Sequence, residues 1–292
     1  MGADSKIGWT DHTFNPWIGC TKVDELCAHC YAEALMDTRY GRVEWGLGKP
    51  RSRTSAAYLK QPLKWNREAA NEALIRKQYD LAPYRPRVFC ASLADWLDDD
   101  GVPIEWLCDL LALIKATPNL DWLLLTKRPQ LWSERLSAVV GMRVADDSRA
   151  IDQCSGIALA AAWLNGAAPE NVWIGTSVGT QKGADERIPQ LLAIPARVRF
   201  LSCEPLLENL SLERARIPDA EGRAAGDAGI HWVICGTESG QRRRTMNLDW
   251  ARSLRDQCKA AGVAFFLKQI EECGKIVTEP TLDGVQHLEF PQ

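Results

Sequence analysis

The sequence predicts an α/β protein built on a parallel sheet, and three observations carry the prediction. Short apolar runs recur at Arg87 to Ala91, Trp122 to Leu125, Val172 to Gly175, Val198 to Leu201, His231 to Cys235 and Ala264 to Leu267. They lack a clear apolar–polar alternation, which is how strands buried on both faces read. Helical patterns separate many of them, and a strand–helix rhythm of this kind gives a parallel sheet, either doubly wound or curled into a barrel. At 292 residues, 46% of them hydrophobic, the chain can bury the core of one large domain.

In chain order, Trp9 to Trp17 is an aromatic-rich segment that leads into Cys20, suited to walling a site from solvent, stacking on a base or joining the core. Gly41 to Arg53, rich in Gly and Arg, reads as a surface excursion, as do the insertion 141–170 and the Gly/Ala/Asp-rich loop Pro218 to Gly229. The helix Ile104 to Lys115 starts behind Asp100-Gly101-Val102-Pro103, and further helices cover Gln130 to Val139, Ala184 to Leu192 and Leu248 to Ala261. Gly262 closes the last of these as a C-terminal cap. Residues 270–292 form a C-terminal extension of the single domain 1–292.

Polar residues follow each apolar run. Ser92 and Asp95 follow the first strand, Thr126, Lys127 and Arg128 the second, and Thr176 and Ser177 the third. Ser202 and Glu204, then Gly236-Thr237-Glu238-Ser239-Gly240, then Lys268 and Gln269 follow the others. In parallel α/β folds the loops after the strands open on one face, where ligands bind. Charges abutting buried strands, namely Lys127, Glu204, Glu238 and Lys268, must meet a ligand or one another to offset their desolvation.

Of ten cysteines, Cys90, Cys108, Cys154, Cys203, Cys235 and Cys258 are scattered singly and read as core, while Cys273 has no assigned role. Cys20, Cys27 and Cys30 stand together. If Cys27 opens a helix, Cys30 lies one turn along the same face, with Cys20 closing over both from the preceding loop. A structural zinc wants a fourth protein ligand, whereas an iron–sulfur cluster on three cysteines presents one iron to an exchangeable ligand. With His12 or His29 added, the trio could instead hold zinc in a non-catalytic binding module.

A net charge of −3 and a pI near 5.9 give no overall basic bias, so a nucleic-acid partner would need a local patch. The candidates are Arg242, Arg243 and Arg244, and Lys49 with Arg51 and Arg53. No apolar run is long enough to span a membrane, and Met1 to Thr10 has no signal-peptide pattern, which predicts a cytoplasmic protein with reduced thiols and no membrane partner.

The cysteine trio together with the strand–helix pattern resembles the radical S-adenosylmethionine superfamily, although the first gap holds six residues where Cys-x3-Cys-x2-Cys is common, and His29 stands where an aromatic residue is usual. More closely, the chain resembles a phage-associated family within that superfamily. The matching stretches include Trp9-Thr10-Asp11, Gly19-Cys20-Thr21-Lys22-Val23, Cys27-Ala28-His29-Cys30-Tyr31-Ala32-Glu33 and Leu125-Thr126-Lys127-Arg128-Pro129. Gly175-Thr176-Ser177-Val178, Ser202-Cys203-Glu204-Pro205, Gly236-Thr237-Glu238-Ser239-Gly240 and Phe266-Leu267-Lys268-Gln269 continue the series. Gly179 stands where many relatives carry an acidic residue, and Ile270-Glu271 where many carry Trp-Gly.

The resemblance implies a partial (β/α) barrel of six to seven mainly parallel strands, with residues 9–40 as the cluster-binding segment. It implies that Cys20, Cys27 and Cys30 hold a [4Fe–4S] cluster carrying S-adenosylmethionine, with Tyr31, Ser92, Asp95, Thr176, Ser177 and Arg128 as cofactor contacts. Lys127, Glu204, Glu238 and Lys268 are then the catalytic candidates. It also implies a reductant such as flavodoxin or ferredoxin, the cytoplasm of a phage host as the setting, and modification or isomerisation of a hypermodified thymine in phage DNA. Modification of tRNA or a peptide is the alternative.

Overall fold

A computed structural model describes residues 5–142, 153–213 and 229–291. Eight strands form one sheet in strictly sequential order: β1 (His12–Thr13), β2 (Arg87–Cys90), β3 (Asp121–Thr126), β4 (Val172–Ser177), β5 (Val198–Cys203), β6 (Trp232–Gly236), β7 (Ala264–Glu272) and β8 (Lys275–Thr278). Neighbours from β1 to β7 pair in parallel, and β8 turns back antiparallel on β7. A doubly wound sheet would reverse its order at a switch point. Here the order never reverses, and the sheet curls into a half-barrel.

All six strands expected from the sequence are present. Both faces are apolar, which is why hydropathy shows no alternation although side chains alternate strictly. Phe89, Leu123, Trp173, Phe200, Trp232 and Phe266 face the barrel interior, where they pack with Trp9. Their neighbours Val88, Trp122, Ile174, Leu201, Val233 and Leu267 face the helices. Gly175 makes room inside, since a Cβ there would stand 2.4 Å from the Phe200 ring.

The helices are α1 (Gln61–Gln78), α2 (Ile104–Ala116), α3 (Trp132–Val140), α4 (Gln153–Leu164), α5 (Gln181–Leu192) and α6 (Leu248–Ala261). Gly262 does close α6, in the left-handed region at φ 67°. Asn247 caps its other end by accepting from the Asp249 amide at 2.9 Å.

Three expectations need correction. The insertion 141–170 is not a surface excursion throughout, because α4 packs on α2 so closely that a Cβ at Gly156 would lie 2.3 Å from the Cys108 carbonyl oxygen. That obstacle is backbone and cannot rotate away. Gly156→Ala is expected to cost about 1–3 kcal/mol by overpacking, which a thermal melt against wild type will read as a fall of several degrees. The stretch Gly41 to Arg53 likewise dips inward, placing Val43 and Arg51 among the buried residues. The strand expected at Ala264 to Leu267 is longer, reaching into the C-terminal extension 270–292. β7 runs to Glu272, and Phe290 returns to pack against Trp232 at a tilt, with ring centroids 5.1 Å apart, beneath the Arg87 guanidinium. Most of Pro218 to Gly229 lies outside the described residues.

The cysteines divide much as expected. Cys90, Cys108, Cys203, Cys235 and Cys258 are buried, but Cys154 is exposed on α4 and Cys273 is exposed in the β7–β8 turn. All ten are free thiols.

Candidate active site

The carboxyl ends of the strands open into a cavity of about 540 Å³ that Cys20, Cys27 and Cys30 line together with polar residues after β2, β3, β5 and β6 and with Lys268 and Gln269 inside β7, which runs past its expected end. Trp9, Phe89 and Leu125 supply an apolar floor. Trp9 walls the cavity, and it is only 2% exposed against Phe89, 4.6 Å away between ring centroids. Phe14 and Trp17 are core.

The cysteine segment differs from its expected local form. Cys27 ends a short helical turn, Glu25–Cys27, which Asp24 caps by accepting from the Leu26 amide at 2.9 Å. Cys30, with ψ 117°, stands just before the helical turn Tyr31–Glu33, which continues as a π-helical turn over Ala34–Arg39. The two cysteines therefore flank a break between turns instead of sharing one helix face.

Arginines from four separate parts of the chain pin the six-residue gap. Arg51 donates to Thr21 Oγ1 (2.6 Å), Arg128 to the Thr21 carbonyl (2.7 Å), Arg187 to Asp24, and Arg244 to the Glu25 carbonyl (3.0 Å). Arg51 and Arg128 are themselves anchored by Asp98, and Arg128 also by Asp95. Leu26 docks against Gly179, where a Cβ would meet the Pro205 carbonyl oxygen at 2.0 Å. There is no room at 179 for an acidic side chain.

Asp95 accepts from Thr126 Oγ1, the Lys127 and Leu97 amides and Arg128 Nη1, at 2.7–3.1 Å. These four donors fill a carboxylate's acceptor sites, so Asp95 braces the barrel mouth. Thr176 is also spent internally: it is fully buried and donates to the Thr126 carbonyl at 2.8 Å. Ser177 and Ser92 reach the cavity lining, with Ser92 Oγ held by Asn15 Nδ2 at 3.0 Å and the Ser92 carbonyl accepting from the Tyr31 hydroxyl. Arg128, 5% exposed, approaches Cys20 Sγ at 3.5 Å while bonded to Asp95 and Asp98.

All four catalytic candidates line the cavity. Lys268 forms an ion pair with Glu204, and Ser239 Oγ donates to the same carboxylate at 3.4 Å. Glu238, 4% exposed, is bonded to Arg244 through both carboxylate oxygens and to His29 Nδ1 at 3.1 Å. The Lys127 ammonium makes no hydrogen bond or ion pair among the described residues.

Electrostatics at the cysteines is set by burial. It pushes the Cys20 thiol up to about 12, with Asp95 adding to the rise and Arg128 opposing it. Burial raises the Cys30 thiol as well, against the pull of neighbouring backbone amides and the Lys127 charge. Burial also works against ionisation of Glu238, but the Arg244 and His29 contacts outweigh it and hold the carboxyl below its usual value. That contribution to stability is complete above the ordinary glutamate value and is lost as the pH falls through the depressed one.

The basic clusters do not form a patch. Arg243 pairs with Glu271 (2.7 Å), Arg244 with Glu238 (2.5 Å), Lys49 with Glu44 (2.6 Å), Arg51 with Asp98 (2.9 Å), and Arg53 with Asp109. Arg242 is exposed. Sequence reasoning also missed Arg187 and Glu279. Glu279 lines the cavity mouth at φ 49° and lies across Gly8, where a Cβ would stand 2.1 Å from its carboxylate oxygen. A glycine facing an acidic hairpin residue was the only signal, and nothing in sequence joins the two.

Among the described residues no group of three or more His, Cys, Asp or Glu side chains is gathered to hold one metal ion. His12, one candidate fourth ligand, stacks on Trp65 at 4.2 Å, and His29 is engaged by Glu238. A [4Fe–4S] cluster is wider than an ion, and its cysteines stand apart around it. The donor set suits such a cluster chemically: three soft thiols, with Arg128 beside Cys20 and the Lys127 charge near Cys30 to offset thiolate charge.

Among the described residues, no helix is long and apolar enough to cross a membrane. No curated protein and no solved structure matches the chain. One family model matches residues 4–291, under the description "Protein of unknown function (DUF5131)". With nearly its whole length matched, the chain belongs to the DUF5131 family.

Proposed function

We propose that this chain is a radical S-adenosylmethionine enzyme, with Cys20, Cys27 and Cys30 as ligands of a [4Fe–4S] cluster. The observation that carries the reading is that these three thiols share one half-barrel cavity with Lys127, Glu204, Glu238 and Lys268. Reduced by a protein such as flavodoxin or ferredoxin, the cluster and S-adenosylmethionine would supply a 5′-deoxyadenosyl radical able to take hydrogen from an unactivated carbon.

The chain's own residues do the rest. Arg128 and Lys127 place positive charge beside the thiolates, and the Lys127 ammonium, without an ion-pair partner among the described residues, can receive a carboxylate. Ser92, Ser177 and Tyr31 offer polar contacts along the wall, and the Trp9–Phe89 floor excludes water from the reacting carbon. Glu204 and Lys268, already paired, are the groups that can hold or move a proton at the substrate.

For substrate, a hypermodified thymine in phage DNA fits only as a single base swung out of the stack into the cavity, because, of the candidate arginines for a phosphate backbone, Arg51, Arg53, Arg243 and Arg244 are paired within the protein, which leaves Arg242 alone. The test is anaerobic incubation with dithionite and S-adenosylmethionine. Release of 5′-deoxyadenosine supports the reading, and its absence from protein with a full cluster counts against it.

A further inference from the structure

We infer that Glu238 is a positioning residue that fixes the Cys27–Cys30 segment to the barrel. The inference rests on the reading of those cysteines as cluster ligands.

An acceptor count makes the first argument. The Glu238 carboxylate takes the Arg244 amide (2.8 Å), Arg244 Nε (3.0 Å), Arg244 Nη2 (2.5 Å) and His29 Nδ1 (3.1 Å). Three of these four fall on Oε2 and fill it, while Arg244 Nη2 alone occupies Oε1, so most of the carboxylate's acceptor capacity is spent on holding the segment. Because a carboxylate only accepts, the proton in the His29 contact must sit on Nδ1. Glu204 differs, since Lys268 and Ser239 engage only its Oε1.

The second argument is what the partners hold. His29 lies between Cys27 and Cys30 in sequence, and Arg244 reaches past Glu238 to the Glu25 carbonyl at the start of the Glu25–Cys27 turn. One buried carboxylate beyond β6 thus secures the segment at both ends. Cys20 is held independently, by Arg51 and Arg128 acting on Thr21. The two halves of the cysteine trio therefore have separate anchors, and breaking one should free only its own sulfurs.

The experiment uses metal-free full-length protein and follows iodoacetamide alkylation of each cysteine by peptide mass spectrometry, with thermal melts alongside. Charge-assisted hydrogen bonds to a buried carboxylate contribute enough that Glu238→Ala should speed alkylation of Cys27 and Cys30 about tenfold, with Cys20 unchanged. His29→Ala should act in the same direction, and the double variant should react no faster than Glu238→Ala alone, since both remove one coupling. Glu238→Gln, which keeps one acceptor oxygen but loses the charge and turns an amide N–H toward a donor, should fall between wild type and Glu238→Ala.

Equal acceleration at Cys20, multiplied effects in the double variant, or unchanged rates at Cys27 and Cys30 would each overturn the inference. Should Glu238→Ala fail to fold, the half-exposed His29 gives the mild variant that decides it. A wild-type protein that takes up no iron would sink the proposed function while leaving the alkylation result standing.

Discussion

Alanine at Cys20, Cys27 or Cys30 is expected to abolish the brown charge-transfer absorbance of anaerobically reconstituted protein, and with it all reductive release of 5′-deoxyadenosine. The three thiols differ in burial and electrostatics, yet each loss should be complete. A cluster left with two protein thiolates has no third anchor, because His29 is engaged by Glu238 and His12 is stacked on Trp65. Stability should hardly change, since all three sulfurs are only partly buried and the segment is pinned through Thr21, Asp24 and Glu25 instead. Thermal melts of the metal-free variants should therefore overlay wild type, which separates loss of a ligand from loss of the fold. A variant that kept both absorbance and product would remove that cysteine from the ligand set.

Arg128→Ala should have the largest effect on stability. Its guanidinium lies between Asp95 (3.1 Å) and Asp98 (3.4 Å) while holding the Thr21 carbonyl, with 6% of the side chain exposed. Removing one partner of such a network leaves buried carboxylates uncompensated and costs about 3–5 kcal/mol. Burial already lifts the Asp98 carboxyl above its usual value, despite the nearby Arg128 and Arg51. A carboxyl raised by folding destabilises the native state as pH rises through the raised value, and losing Arg128 lifts it further. The deficit in melting temperature should accordingly be largest near neutrality and shrink as Asp98 protonates. Arg128→Lys should rescue little, because a single ammonium cannot replace a planar fork shared among Asp95, Asp98 and Thr21. A deficit independent of pH would show that the arginine acts through packing alone.

The six parallel strands were legible because each is apolar on both faces, and the polar residues after them do converge on one cavity. α4 was hidden by its composition: Gln153–Leu164 is apolar almost all round, so no amphipathic stripe marks the one face, Gln153, Gly156, Ala160 and Trp163, that it buries. β1, at two residues, is too short for any pattern. At the site, residue types were readable but pairings were not. Arg244 meets the Glu25 carbonyl across 219 residues of chain, and Arg187 meets Asp24 across 163. The same blindness made Arg243, Arg244, Arg51 and Arg53 look like a nucleic-acid surface, when each is paired within the protein. It also left Asp95 and Thr176 looking free for a cofactor, although their acceptors and donors serve the barrel mouth. The long Cys20–Cys27 gap finds a physical reason in those same arginines, since it supplies Thr21, Asp24 and Glu25 as their anchor points.

The most direct test of the central claim is metal and sulfide analysis of protein purified without oxygen. The account predicts about four irons with matching labile sulfide per chain, released together on oxidation. A single zinc with no sulfide would contradict it and make the cysteine trio part of an inert binding module.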